Sequence, residues 1–170
     1  MTDQPSTWRH VRAILQLPFV VTVVVPACLL LMGGRGGRPW LPAWLAWPLG
    51  LALLLTGLTL IVTTVGLFAR VGHGTLAPWD PTAQLVVAGP YRYVRNPMIT
   101  GVFAVLLAES LLTSSPWLFL WFCGFLVVNL LYIRVSEEPG LRARFGPDYE
   151  TYVEHVPAWI PRRTPWDPPR

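Results

Sequence analysis

The chain of 170 residues is 53% hydrophobic and only 13% charged, with a mean hydropathy of +0.47. Soluble domains carry about 25% charged residues, so this composition excludes an ordinary soluble domain and indicates an integral membrane protein. The net charge of +4 is due to arginine, because the chain contains no lysine. In so apolar a chain, this charge favours contact with anionic membrane lipid over nucleic-acid binding. The length predicts a single domain over residues 1–170.

Four apolar stretches predict an all-α integral membrane bundle with about four transmembrane helices. In chain order they cover residues 13–32, 43–69, 98–112 and 117–135. A bilayer requires about 20 helical residues, so we expect the second helix to tilt or project, while the third is short for a full crossing. The sequence Thr113-Ser114-Ser115-Pro116 predicts a tight turn that joins the last two stretches into a hairpin.

The distribution of arginine predicts the topology. Eleven of the 13 arginines lie in the N-terminal segment, in the loop between the second and third stretches, or in the C-terminal tail. With four crossings these three regions share one side of the membrane. The positive-inside rule therefore places both termini, this loop and the tail on the cytoplasmic side.

The loop before the third stretch and the tail after the fourth contain most of the polar residues. In the loop, residues 85–87 predict a short extended piece, and Asn96-Pro97 predicts a helix start with Asn96 as its cap. In the tail, we expect a short helix at residues 141–145, a break at Gly146-Pro147 and a second helix to about His155. The prolines that follow predict an extended, frayed end.

The hairpin predicts that the loop and the tail meet. A helix that begins at Pro97 and a helix that returns to Val135 bring Arg95 close to Glu137 and Glu138. Charges at a membrane boundary are costly unless they are paired or bind a ligand, so this constellation indicates a site. The simpler interpretation is that the arginines are snorkelling anchors and the glutamates form a solvated turn.

Other polar residues have two interpretations each. Glu109 is a candidate substrate contact because ionisable groups within membrane spans are often functional, although its position near the turn also suits an interfacial residue. Asn129 is either a substrate contact or a hydrogen-bonding residue between helices. His73 and Asp80 could reach the site from the loop, although the sequence around Asp80 favours a turn-forming role for this residue. The three histidines and two cysteines lack metal-ligand spacing, so we expect no metal.

Several motifs resemble one family of membrane enzymes. Residues 89–98 read Gly-Pro-Tyr-Arg-Tyr-Val-Arg-Asn-Pro-Met and are followed by Gly101, which is similar to a Gly-x-Tyr-x-x-x-Arg-His-Pro-x-x-x-Gly signature. The tail adds Glu-Glu-x-x-Leu, Phe-Gly-x-x-Tyr-x-x-Tyr and Val-Pro-x-x-x-Pro, at residues 137–141, 145–152 and 156–161. This combination resembles the isoprenylcysteine carboxyl methyltransferases and their phospholipid methyltransferase relatives. The resemblance covers about residues 89–161.

The resemblance implies an S-adenosylmethionine-dependent methyltransferase that acts on a lipophilic small molecule or a lipidated substrate entering from the bilayer. It implies that Arg95 is the active-site arginine and that Glu137 or Glu138 is its carboxylate partner. The residues implied for the cofactor pocket are Tyr91, Arg92, Asn96, Pro97, Gly101, Tyr149, Tyr152 and Pro157. Asn96 replaces the family histidine, which keeps hydrogen bonding but removes a group that titrates near neutral pH.

The acceptor has more than one interpretation. The resemblance is strongest to isoprenylcysteine carboxyl O-methylation, in which an arginine would orient a carboxylate. A phospholipid amine is the alternative, and it needs a base to remove a proton, which gives a glutamate more weight. A related membrane reductase that uses NADPH and a non-catalytic membrane scaffold are the other two hypotheses.

Overall fold

The computed structural model describes residues 18–33, 39–71 and 85–168, and these residues contain helices and no strand. Five helices follow in chain order: α1 (Val20–Gly33), α2 (Ala43–Val71), α3 (Pro97–Thr113), α4 (Pro116–Phe145) and α5 (Pro147–His155). A 3₁₀ turn at Gly89–Arg92 precedes α3. The predicted all-helical class is therefore confirmed for the described residues. His73, Asp80 and the start of the first predicted span lie outside them.

Two of these helices are long and apolar enough to cross a membrane. They are Ala43–Leu67, within α2, and Pro116–Phe145, with mean hydropathies of 2.1 and 2.0. Most of their side chains face outward, since only 11% of the most apolar window of each is buried. An apolar helix that exposes its side chains is typical of contact with lipid. The helices α1 and α3 are apolar but shorter, so four crossings stay a prediction.

The core of the bundle lies where α3 meets its neighbours. The buried cluster contains Ile61 of α2 and Val102, Val105 and Leu106 of α3. Side chains from α1 and α4 pack against it, so all four helices share this core. The helices α2 and α3 approach closely at two glycines, because a Cβ on Gly57 would lie 2.6 Å from the carbonyl oxygen of Gly101. Small residues at a helix crossing allow such an approach.

The third and fourth predicted spans form the expected hairpin. The helix α3 ends at Thr113, Ser114 adopts a left-handed conformation with φ of 50°, and α4 begins at Pro116. The left-handed residue reverses the chain within two residues, as the turn sequence predicted. The hairpin then returns the end of α4 to the level where α3 begins.

The end of the fourth span differs from the sequence-based prediction. The predicted helix stopped at Val135, ahead of Ser136-Glu137-Glu138-Pro139-Gly140, but α4 continues without a break to Phe145. Its turn at Ile133–Glu137 is widened, with the Glu138 amide bonded to the carbonyl of Ile133, five residues back. A wider turn makes room for the ring of Pro139, which would crowd the carbonyl four residues back in a regular α-helix.

A second, smaller core holds the tail together beside the bundle. The buried residues are Tyr149, Tyr152 and Val156, and the loop residues Leu85 and Val87 pack against them. The loop piece at residues 85–87 is thus anchored by its side chains and pairs with no strand among the described residues. The predicted tail helix from Pro147 to His155 is confirmed as α5.

Candidate functional site

An ion pair joins the loop to the end of α4. The Nη1 atom of Arg95 lies 2.8 Å from Oε1 of Glu138, and the two side chains are only 12% and 20% exposed. The hairpin creates this contact across 43 residues, as the sequence predicted. Of the two glutamates left open by the sequence, Glu138 is the partner of Arg95, whereas Glu137 is exposed.

The guanidinium of Arg95 retains an unused donor. Its Nη1 also donates to the hydroxyl oxygen of Tyr149 at 3.4 Å, but its Nε is buried and has no partner among the described residues. A buried donor without an acceptor is unfavourable by about 1–3 kcal/mol. A bound anion or carboxylate would remove this penalty, so the site has unused binding capacity for a negative group.

Tyr149 and Tyr152 hold the residues of the site in place through hydrogen bonds and packing. The hydroxyl of Tyr152 donates to the carbonyl oxygen of Tyr91 at 2.7 Å, which ties α5 to the 3₁₀ turn. The rings of Tyr149 and Tyr152 lie 6.2 Å apart, and each side chain is 3% exposed. These two rings are packed in the second core. They hold Arg95 and Tyr91 in place, and their faces are largely covered by protein.

Burial changes the acidity of all three phenols. Desolvation raises the pKa of Tyr91 well above its usual range, and the charge of Glu137 adds to this effect. Burial also raises the pKa of Tyr149 and of Tyr152, although the Arg95 cation opposes the shift at both. Each of these tyrosines is therefore a neutral hydrogen-bonding group at physiological pH.

The side chain of Asn96 has a different role from the predicted helix cap. It makes no capping hydrogen bond to α3. Its Nδ2 atom instead donates to the carbonyl oxygen of Ala158 in the tail, at 3.2 Å. The backbone carbonyl of Asn96 starts the helix by accepting from the amide and the hydroxyl of Thr100. Asn96 thus fastens the tail to the first turn of α3.

The remaining predicted pocket residues take structural positions around this centre. Pro97 is buried at the first position of α3, and Gly101 lies at the crossing with α2. Pro157 is exposed, and its carbonyl oxygen accepts from the Arg95 amide at 2.9 Å. Arg92 donates from Nε to the carbonyl oxygen of Trp166 and pairs with Asp167. A direct cofactor contact by any of these residues stays a prediction.

Glu109 and Asn129 are not part of the Arg95 centre. Glu109 lies 12 residues after the start of α3 at Pro97, which is about 18 Å along the helix, toward the turn end of the hairpin. Its Oε2 is buried without a partner among the described residues. Asn129 donates to the carbonyl oxygen of Phe125 within its own helix, at 2.8 Å. A substrate role for either residue stays a prediction.

The sequence did not predict how far the tail contributes to the site. The extended end was expected to fray, yet residues 157–167 contact the loop at several points. Trp159 stacks on Phe103 of α3 with 5.9 Å between ring centres, and Trp166 packs against Tyr152. The two tryptophans of this proline-rich polar tail could have predicted that it packs against the rest of the protein, because burial of large aromatic side chains is favourable.

Comparison with known proteins gives a family match. The family model described as phospholipid methyltransferase matches residues 45–148, more than half of the chain. The matched region contains α3, the loop residue Arg95 and Glu138 of α4, and it ends just before Tyr149. No curated protein and no solved structure matches the chain.

Proposed function

Since this chain belongs to the phospholipid methyltransferase family, we propose that it transfers a methyl group from S-adenosylmethionine to a lipophilic acceptor at the membrane. The observation that carries this proposal is the largely buried pair of Arg95 and Glu138 between the loop and α4. Two charges placed in so little water indicate a site for a charged ligand.

The residues present fit the proposed cofactor. Its methionine part carries one ammonium and one carboxylate, and the site offers the carboxylate of Glu138 and the unpartnered Nε donor of Arg95. Charge-assisted hydrogen bonds of this kind are stronger than neutral ones. S-adenosylmethionine supplies an electrophilic methyl group on a sulfonium when it is bound.

The protein's own contribution is positioning. Methyl transfer is an in-line displacement that depends mainly on the orientation of the two reactants and on the electric field of the site. Arg95 is held by Glu138, by Tyr149 and, through its backbone, by the carbonyl of Pro157. A charged group fixed from three sides does not need to reorganise when charge moves in the reaction.

A carboxyl acceptor is the first candidate. A carboxylate is already deprotonated at neutral pH, so no base is needed before it attacks the methyl group. In this version of the reaction the unpartnered Nε donor of Arg95 binds the carboxylate of the acceptor in place of that of the cofactor. This supports carboxyl O-methylation of an isoprenylated cysteine or a similar lipophilic acid.

A phospholipid amine is the second candidate, and the description of the matched family favours it. The amine must lose a proton before it can attack, so a general base is required. Glu138 is engaged by Arg95, whereas the adjacent Glu137 is exposed at the end of the bundle. In this version of the reaction Glu137 takes the proton.

A methyl-transfer assay separates these candidates. The purified full chain in nanodiscs that contain phosphatidylethanolamine is incubated with methyl-labelled S-adenosylmethionine, with and without a farnesylated cysteine. A methyl ester releases labelled methanol in mild alkali, whereas an N-methyl group stays on the lipid. Failure to bind S-adenosylmethionine, together with binding of NADPH, would overturn the proposal in favour of a reductase.

A further inference from the structure

The end of the tail lies along the loop that carries Arg95. We call residues 157–167 the strap. The strap runs in the opposite direction to loop residues 92–96 and is joined to them by three backbone hydrogen bonds. These link the Arg95 amide to the Pro157 carbonyl (2.9 Å), the Arg162 amide to the Tyr93 carbonyl (3.0 Å), and the Trp166 amide to the Arg92 carbonyl (3.0 Å).

One arginine fastens the far end of the strap. The Nε atom of Arg92 donates to the carbonyl oxygen of Trp166 at 3.2 Å, and its Nη2 forms an ion pair with Asp167. The indole of Trp166 stacks on the ring of His155 at 5.2 Å and packs against Tyr152 at 5.9 Å. The last residues of the strap are thus held by a guanidinium on one side and by aromatic rings of α5 on the other.

The strap lies beside Arg95 and outside the helices. A ligand reaches the Arg95–Glu138 pair only if something moves, because these side chains are 12% and 20% exposed. The helices are secured by the two apolar cores. The strap contributes only Trp166 to the second core, and its prolines lack the amide hydrogens that could bind the loop more tightly.

Proline also makes the strap easy to close again. A chain with Pro157, Pro161 and Pro165 has fewer conformations when it is released, so less entropy is lost when it returns to the loop. A segment that is held mainly by separate polar contacts and loses little entropy on closing is suited to opening and closing during each round of ligand exchange.

We propose that Arg92 is a positioning residue that fastens the strap, and that release of this fastening sets the rate of cofactor exchange at the Arg95–Glu138 site. This inference rests on the proposed function. The guanidinium of Arg92 is engaged by Trp166 and Asp167, so it acts on the cofactor through the strap. The proposal requires that the Arg92–Asp167 pair hold the strap equally with and without the cofactor.

The proposal predicts a specific kinetic pattern. If exchange occurs only while the strap is open, a weaker fastening increases association and dissociation by the same factor and leaves the Kd unchanged. Asp167 is 75% exposed, so its ion pair has the modest strength of a surface pair. Removing one such pair is expected to speed both steps by about threefold to fivefold.

The test compares two ion pairs of the same type in the full chain in nanodiscs. Asp167→Asn removes the pair with Arg92, and the control Glu150→Gln removes the exposed pair with Arg142 (3.2 Å), which does not touch the strap. Rapid-mixing measurements with labelled S-adenosylmethionine should show both rates raised in Asp167→Asn, a Kd within about twofold of wild type, and no change in the control. Arg92→Lys, which keeps the positive charge, should be closer to wild type than Arg92→Gln.

Hydrogen exchange provides a readout that needs no cofactor. In Asp167→Asn the amides of Arg95, Arg162 and Trp166 should exchange faster, since they form the hydrogen bonds between strap and loop. The amides of α5 should be unchanged, and Glu150→Gln should match wild type throughout.

Two failures can be told apart. Wild-type protein that does not bind S-adenosylmethionine would overturn the proposed function and the exchange role together. Normal binding with unchanged rates in Asp167→Asn, or a higher Kd caused by dissociation alone, would overturn only the role of Arg92 and the strap.

Discussion

At the scale of single residues, the centre of the site is a charge that is only partly satisfied. Arg95 is mostly buried, pairs with Glu138 and leaves its Nε without an acceptor among the described residues. The unsatisfied Nε donor is unfavourable in the protein alone, and this penalty is removed when a ligand supplies an acceptor. This makes the pair sensitive to changes in either partner.

The first prediction concerns Glu138→Gln. This variant leaves the Arg95 cation without its counter-charge and removes the carboxylate proposed to hold the cofactor ammonium. Binding of S-adenosylmethionine, measured by equilibrium dialysis, should weaken by at least about tenfold, which corresponds to about 1.4 kcal/mol. The control Glu154→Gln, at an exposed position of α5, should bind like wild type. Wild-type binding and turnover in both Glu138→Gln and Arg95→Ala would remove the pair from the site.

Asn96 shows how a single residue can be correctly singled out and wrongly interpreted. Its position before Pro97 predicted a cap, and the resemblance implied a cofactor contact. In the structure its side-chain amide instead donates a hydrogen bond to the carbonyl oxygen of Ala158, 62 residues away. The preference of asparagine for helix starts reflects local hydrogen bonding, and a partner from the tail takes its place here.

At the scale of elements, the closest contact is the crossing of α2 and α3. A Cβ on Gly57 would lie 2.6 Å from the Gly101 carbonyl, and one on Gly101 would lie 2.8 Å from the Gly57 carbonyl. Both obstructing atoms belong to the backbone, which cannot rotate away as a side chain could. The helices would have to separate to admit either methyl group.

The second prediction therefore concerns Gly101→Ala. Separation of α2 and α3 should lower the free energy of unfolding by about 1–3 kcal/mol, measured by detergent-induced unfolding. The control Gly66→Ala, in α2, places its methyl in open space and should be neutral or stabilising by up to about 1 kcal/mol. If Gly101→Ala kept full stability but bound S-adenosylmethionine poorly, the implied pocket role of Gly101 would be favoured over the packing role.

The continuous helix α4 links the bundle to the site. Because its wide turn at Ile133–Glu137 accommodates Pro139, the helix carries Glu138 directly on the apolar span. The carboxylate is therefore placed by a rigid element, while its partner Arg95 comes from the loop held by the tail. Both charges of the site are therefore held in place by the fold before a ligand binds, as a preorganised site requires.

At the scale of the whole molecule, polar chemistry is gathered at one end. The loop, the end of α4, α5 and the strap meet beyond the start of α3, whereas Glu109 lies toward the opposite end. The second core joins these pieces through the buried phenols of Tyr149 and Tyr152, and Tyr152 is bonded to the carbonyl of the half-buried Tyr91. The stability of this end should therefore depend on keeping those phenols neutral.

The third prediction is alkaline destabilisation. Burial raises the pKa of Tyr91, Tyr149 and Tyr152 above the usual value of about 10. The folded state then holds these protons more strongly than the unfolded state, so their contribution to stability is complete below about pH 10 and decreases as pH rises further. Circular dichroism and tyrosinate absorbance, followed together, should show these phenols ionising as helix is lost.

Variants that lack one phenol test whether tyrosine ionisation causes the alkaline destabilisation. Tyr149→Phe and Tyr152→Phe should each reduce the steepness of the decline above about pH 10, because each removes one titrating phenol. Full ionisation of all five tyrosines while the helix signal is retained would contradict the burial of these side chains.

Much of the architecture could be predicted from the sequence. Composition predicted a helical membrane protein, and apolar stretches, turn residues and prolines located α2, α3, α5 and the start of α4. These features are local, since each depends on residues close together in the chain. The hairpin then followed from a short turn, and with it the meeting of Arg95 and Glu138, because two helices joined tightly must return to the same level.

The tertiary structure alone decided the choice between the two glutamates, the partner of Asn96, the glycine crossing and the strap. The strap has no helical or strand periodicity, so its position depends on contacts such as Arg92 with Asp167 that join residues more than 70 positions apart. The sequence therefore determined which elements form and which end of the bundle is polar. Packing between distant segments decided which side chains are left able to bind a ligand, because a hydrogen-bonding group used within the fold is not available to anything else.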